Sequence, residues 1–335
     1  MIGASDVGTA FEILAGFAPV EVWTAYPLLL DGEAALQLPG AAGHPGYPLA
    51  LAVSAVFASI RGDLTDAEEL CDRAAEANAR QDTRDWRVQE AICAARQNIA
   101  TIRGAYAEAA RLAEQAASYA RGGGDLADTS LHLGIAVADH MYAGDPPAAV
   151  PLAHEALALA RQTGAPALIA TALLQVGGAV ADTDPGQARA CLRESRQIST
   201  ALGYQSAINL IWAAGIAVLL GDQADALELG RRAIHRLQWG ADRLRMGTIL
   251  NIIAGALATT RPEAAAIILG AAETYVVESP LSAQLVSLIV TQTLGEQRAR
   301  ELRARGADMD RGQAIAYTLT QISQALSELP SGTQP

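Results

Sequence analysis

The sequence predicts an all-α protein built as a solenoid of about six to seven helix hairpins with a C-terminal helical cap, and three observations predict it. Apolar residues make up 51% of the 335 and aromatic residues only 4%, so the chain buries mostly alanine and aliphatic surface, which suits close helix packing. A short motif returns six times with a period near 40 residues, the signature of a repeat protein. Each copy follows an apolar stretch of helical length.

The six copies open "RGDLTDAEEL", "RGAYAEAARL", "AGDPPAAVPL", "DTDPGQARAC", "LGDQADALEL" and "TTRPEAAAII". Their marker alanines, Ala67, Ala109, Ala149, Ala188, Ala226 and Ala265, are separated by 42, 40, 39, 38 and 39 residues. Three positions further stand Leu70, Leu112, Leu152, Cys191, Leu229 and Ile268, and seven positions further Ala74, Ala116, Ala156, Ser195, Ala233 and Ala272. Positions i, i+3 and i+7 share one helical face. Small residues at both ends of that stripe let another helix backbone approach, and the middle residue supplies the apolar side chain. The motif is a packing seam.

The stretches that precede the motifs, 47–61, 84–103, 126–142, 166–182, 204–220 and 242–259, make each unit a hairpin, so residues 47–280 hold six of them. Gly62, Gly104, Gly144 and Gly221 permit the reversal, and the Asp or Pro after several of them suits a helix start. One hairpin cannot bury both faces, whereas stacked hairpins share a core and curve into a superhelix. Residues 1–46 are less regular and are expected to form an incomplete leading hairpin. Residues 281–304 and 311–328 are expected to be two capping helices within 281–329, with Glu296 before Arg300 and Glu301 before Arg305 at i+4 spacing on a solvated side. The last residues, 330–335, read as a disordered tail.

Composition narrows the function. All 24 basic residues are Arg, which excludes a phosphate loop of the GxxxxGK[ST] type and a lysine Schiff base. A net charge of -12 and a pI near 4.9 oppose nucleic-acid binding by this chain, because phosphate recognition needs concentrated positive charge. Cys71, Cys93 and Cys191 form neither an even set nor a CxxC and point to a reducing cytoplasm. The N-terminus lacks the basic region of a signal peptide, and the longest apolar runs, such as "AINLIWAAGIAVLL", are too short to span a bilayer.

Motifs for chemistry are weak. His154 and Glu155 in "HEALA" begin like a zinc-protease helix, but Ala158 stands where the second histidine belongs. Asp125, Asp128 and His132 fall on one face at i, i+3 and i+7, yet acids in a first turn answer the helix dipole. "GGGD" at 122–125 reads as a loop, and Gly177 and Gly178 as close-packing glycines. The acid pairs Glu68/Glu69 and Asp308/Asp310 read as solvated faces. No catalytic residue, cofactor-binding residue or metal ligand is assigned, and the expectation is a protein that is not an enzyme.

The remaining signal lies in the first helices of the hairpins. Their otherwise apolar stretches carry Asn98, His132, His140, Gln175, Asn209 and Asn251, and in a solenoid such helices line the concave side. Buried polar groups need partners, which a neighbouring helix, a peptide or a small ligand can supply. Trp86, Trp212 and Trp239 are the aromatic side chains available to core packing or to a partner.

Alanines seven apart at a seam resemble the second helix of tetratricopeptide repeats, so the solenoid is expected to be TPR-like and right-handed, with a longer repeat than that family's. More specifically, "LPGAAGHP" leading into "YPLALAVSAVFASIRGDLTDAEELC", then "AAIILGAAETY" and "LRARGADMDRGQAIAYTLTQI", resemble the C-terminal helical-repeat region of actinobacterial LuxR-type regulators, including those with a cyclase domain. The resemblance implies a repeat arm that receives an inducer or a protein and signals to an ATPase module. The sequence holds no GxxxxGK[ST] and no cyclase segment before the repeats, so ATP binding, cyclase activity and DNA binding are not carried over. The expected function is therefore an interaction or effector-sensing module, encoded alone or cut from a longer ancestor. It binds a protein or peptide on its concave face, with a separately encoded STAND-type ATPase or cyclase as the expected partner. The alternatives are a small-molecule inducer site and a remnant with no independent activity.

Overall fold

The recurring Gly-Asp and Asp-Pro steps end one helix and begin the next. Gly62 and Gly144 close their helices at φ 91° and 78°, a left-handed conformation that side chains disfavour. Asp85, Asp125, Asp145, Asp184, Ser206 and Asp242 each accept a backbone N–H in the first turn that follows, satisfying donors that the helix itself leaves unpaired. The computed structural model describes residues 7–16, 32–81, 85–203, 205–238, 242–275 and 281–329; Trp239 and the expected tail at 330–335 lie outside them, as does part of 1–46.

Among the described residues there are seventeen α-helices, one short 3-10 turn at Ala41–Gly43, and no strand. They are α1 Val7–Gly16, α2 Gly32–Leu36, α3 Tyr47–Arg61, α4 Leu64–Ala79, α5 Trp86–Ile102, α6 Tyr106–Gly122, α7 Leu126–Ala143, α8 Pro146–Thr163 and α9 Pro166–Val180. Then follow α10 Pro185–Leu202, α11 Ala207–Leu219, α12 Gln223–Leu237, α13 Arg243–Leu257, α14 Pro262–Glu273, α15 Leu281–Leu294, α16 Glu296–Ala307 and α17 Arg311–Glu328. None is long and apolar enough to cross a membrane.

The helices pack as a series of adjacent pairs: α3 with α4, α5 with α6, α7 with α8, α9 with α10, α11 with α12, and α13 with α14. The marker alanines from Ala67 to Ala265 are all fully buried, and so are Ala74, Ala116, Ala156, Ala233 and Ala272. Leu70, Leu112, Cys191, Leu229 and Ile268 are buried, and Leu152 is half-buried. At the seam position held by serine, Ser195 Oγ donates to the Ala170 carbonyl of the preceding first helix at 2.9 Å. That bond is possible because the side chains between the two backbones are small.

The second helices are tied on their outer side by ion pairs one repeat apart: Arg121–Glu155 at 2.6 Å, Arg161–Glu194 at 3.3 Å and Arg196–Asp225 at 3.0 Å. All six side chains are about half exposed, so each pair contributes only about 0–1 kcal/mol. The stack is held by its buried seam, and the outer pairs only link the second helix of one hairpin to that of the next.

The C-terminal region differs from the expectation. The stretch 281–304 is not one helix: Gly295 at φ 80° breaks it into α15 and α16. The break is easily passed over because one glycine separates the two helical stretches and the second helix starts at the next residue, Glu296. α16 crosses α14 at two glycines: a Cβ at Gly270 would lie 1.9 Å from the Arg303 carbonyl oxygen, and one at Gly306 1.9 Å from that of Ile267. Arg303 is only partly exposed and is held in place: it bonds Ser287 at 2.8 Å and pairs with Glu273. α17 turns back over α12, α13 and α14, with Arg311 donating to the Leu237 carbonyl at 2.9 Å.

The series also meets itself. α3 touches α13, and α7 touches α15, four to five hairpins away. Arg243 of α13 stands against Gly62, donates to the Thr274 carbonyl at 2.7 Å, and lies 5.3 Å from the centre of the Tyr275 ring. The first helices therefore converge from opposite sides of a common axis.

Candidate functional site

Where α7, α11, α13 and α15 converge, they leave a cavity of about 210 Å³. Met141 and Tyr142 line it from α7, Ile211 and Trp212 from α11, and Asn251 and Ile252 from α13, with Val286 of α15 on a further side. The room comes from missing side chains. Gly178, Gly215 and Gly255 stand about one repeat apart on successive first helices and all face the cavity. Gly178 lets the Trp212 ring lie against the α9 backbone, where a Cβ would come within 2.6 Å of the ring.

The lining is apolar apart from Tyr142, Thr248, Asn251 and the indole N–H of Trp212. The Tyr142 phenol hydrogen-bonds the Thr248 side chain across the axis, and loss of solvent around it pushes its pKa up to about 12. The Thr248 hydroxyl donates to the Leu244 carbonyl at 3.0 Å. Asn251 is only 9% exposed, and its carboxamide has no hydrogen-bond partner among the described residues. No charged side chain lines the space.

Of the six polar residues expected on a concave binding face, the structure brings only Asn251 to the cavity. Asn98 donates to Ser59 Oγ at 3.2 Å, and Asn209 accepts from Thr171 Oγ1 at 2.8 Å. His132 is buried, with Nε2 2.5 Å from Glu90 Oε1, while His140 pairs with Glu114 at 2.9 Å on the outside. The buried Gln175 side chain lies over Gly134, so close that a Cβ there would clash. Three of these groups find partners on neighbouring helices one repeat away: the separations are 39 for Asn98 and Ser59, 38 for Thr171 and Asn209, and 42 for Glu90 and His132.

That spacing is the signal by which the missed residues are found. Gln97 donates to Asp139 Oδ2 at 2.7 Å, also 42 residues away, and the Thr101 hydroxyl lies 2.9 Å from Oδ1. Together with Glu90 and His132, these side chains make the contact between α5 and α7 polar. Burial pushes the Asp139 carboxyl up to about 7. Burial, with Glu90 and Asp125 nearby, pushes Asp128 up to about 6.

The possible metal set does not assemble. The Asp125 carboxylate accepts from the Asp128 N–H as a helix cap, His132 faces Glu90, and no group of three metal-ligating side chains converges among the described residues. Glu155 pairs with Arg121, Glu68 with Arg103, and Asp310 caps α17. Burial pushes the thiols of Cys71 and Cys93 up to about 12 and about 11, which keeps them protonated at neutral pH. Trp86 packs on Gly123 in the turn before α7. No protein-family model and no curated protein matches this chain.

Proposed function

We propose that the chain is a right-handed, TPR-like superhelical sensor module of a LuxR-type regulatory system, and that it takes a small apolar effector into the cavity between Trp212 and Asn251 without transforming it. The observation that carries this reading is the cavity itself: a half-open, mostly apolar space with a few polar groups, formed between helices distant in sequence, has the character of a small-molecule site. A ligand there touches α7, α11, α13 and α15 together and so bears on how the repeats close. Neighbour-to-neighbour packing passes such a change along the stack. A peptide laid along the inner wall has less support, because the first helices meet each other there.

The test uses toluene as a probe. It is expected to raise the melting temperature of the wild-type protein and to slow amide exchange in α7 and α15, and Ala138→Phe, which fills the cavity from its α7 side, is expected to abolish both effects. Equal stabilisation of the filled variant, or stabilisation with no change of exchange beyond the lining residues, would remove the sensor reading.

A protein partner is the second reading, favoured by one observation. Leu285 and Leu288, each more than half exposed, and Ile289 form an apolar stripe on α15 beside the cavity. Leu285→Glu together with Leu288→Glu is expected to abolish association with a separately encoded ATPase or cyclase while leaving toluene binding unchanged; association that survives both changes removes this reading.

A further inference from the structure

Resting on the reading of this cavity as the effector site, we infer that the effector is an uncharged molecule of about ten heavy atoms, apolar along its body, with a single hydrogen-bonding end that meets Asn251. Size follows from volume. A dry apolar cavity of about 150 Å³ accepts benzene, so about 210 Å³ accepts one ring with a short substituent, or a chain of similar bulk.

Charge is excluded by the lining. A carboxylate, phosphate or ammonium placed beside Trp212, Ile252 and Val286 has no counter-ion, and an isolated buried charge is far more costly than a buried neutral group. The nearest acid, Asp139, faces away toward Gln97 and Thr101, and Arg245 is held by Asp242 at 2.6 Å. A polyol is excluded by arithmetic on partners. Of the four lining side chains that can hydrogen-bond, Tyr142 and Thr248 interact with each other, which leaves the Asn251 carboxamide and the single indole N–H of Trp212 for all of the ligand's polar atoms.

Asn251 is the buried amide that lines the cavity. Gln97 and Asn209 are each bonded to a side chain one repeat away, whereas Gln175 and Asn251 have no such bond among the described residues, and of these two only Asn251 faces the space. An unpartnered carboxamide, nine-tenths buried and lining an apolar space, is a specificity element. It donates to a carbonyl or accepts from a hydroxyl or amide.

Three probes of equal size separate these properties: acetophenone, isopropylbenzene and benzoate, titrated at pH 7.5 into wild type and Asn251→Leu and followed by calorimetry and tryptophan fluorescence. The ratio of acetophenone to isopropylbenzene affinity is expected to fall about threefold to tenfold in Asn251→Leu, the factor for one neutral hydrogen bond. Benzoate is expected to bind neither protein. Asn251→Ala, which only removes atoms, gives the same comparison should the leucine variant misfold. An unchanged ratio, or benzoate binding wild type as well as acetophenone does, overturns the inference while leaving the cavity as a site. Failure of both neutral probes to bind wild type overturns the effector-site reading itself, and the inference with it.

Discussion

Gln97 and Asp139, 42 residues apart, are joined by a 2.7 Å hydrogen bond in the buried contact between α5 and α7. The bond belongs to a small network that fits a neutral acid. The Thr101 hydroxyl accepts from Gln97 Nε2 at 2.9 Å and has two acceptors in reach, the Gln97 carbonyl at 3.1 Å and Asp139 Oδ1 at 2.9 Å; when it donates to the carbonyl, its second lone pair can take the proton of a neutral Asp139. The other acid oxygen accepts from the Gln97 amide.

A pH dependence follows. Asp139 titrates near 7 in the folded chain against an ordinary value of 3.8, so below about pH 4 both states hold the proton. Between there and about 7 only the folded state does, so stability falls with rising pH across that window and levels off above it. Asp139→Asn keeps the donors and acceptors of the neutral acid and has no proton to lose. The difference between wild-type and variant urea midpoints is expected to grow from pH 4 to pH 7, with the variant the more stable at the upper end. A difference that stays flat would show that Asp139 is ionised in the fold.

Gly270 and Gly306 cross backbone to backbone, and each would place a Cβ 1.9 Å from a carbonyl oxygen of the other helix. Gly270→Ala and Gly306→Ala are each expected to cost at least about 1–3 kcal/mol, because α14 and α16 must separate. Gly122→Ala meets nothing within 4 Å and is expected to be neutral. Denaturant titration of the three variants checks this.

The seam and the outer ion pairs predict opposite sensitivities. Ala233→Arg forces a charged side chain into a fully buried position and is expected to lower stability by at least about 1–3 kcal/mol. Arg161→Ala removes one half-exposed pair and is expected to change stability by less than about 1 kcal/mol. A thermal midpoint unmoved by the first change would contradict the seam.

The local architecture was legible in the residues. The stretch 47–61 is helical over Tyr47–Arg61, and 126–142 over Leu126–Ala143, because Gly, Asp and Pro mark their own helix ends. The break at Gly295 was not legible, since a lone glycine is flanked on both sides by residues that suit a helix. Nor was the meeting of α3 with α13 and of α7 with α15, because contacts between hairpins so far apart in the chain depend on the packing of every hairpin between them and no single residue encodes them. The polar residues of the first helices gave their burial but not their destinations. Those become readable only when pairs are sought at the repeat's own spacing, as for Gln97 with Asp139. The cavity had a weaker trace in Gly178, Gly215 and Gly255, which recur about once per repeat and withhold side chains from the same inner side.

The most direct test of the cavity as a ligand site is a crystal structure of the wild-type protein grown with acetophenone. One ordered molecule is expected between Trp212 and Ile252, with its carbonyl oxygen within hydrogen-bond reach of the Asn251 side chain. An unfilled cavity, or acetophenone ordered only on the outer surface, would contradict it.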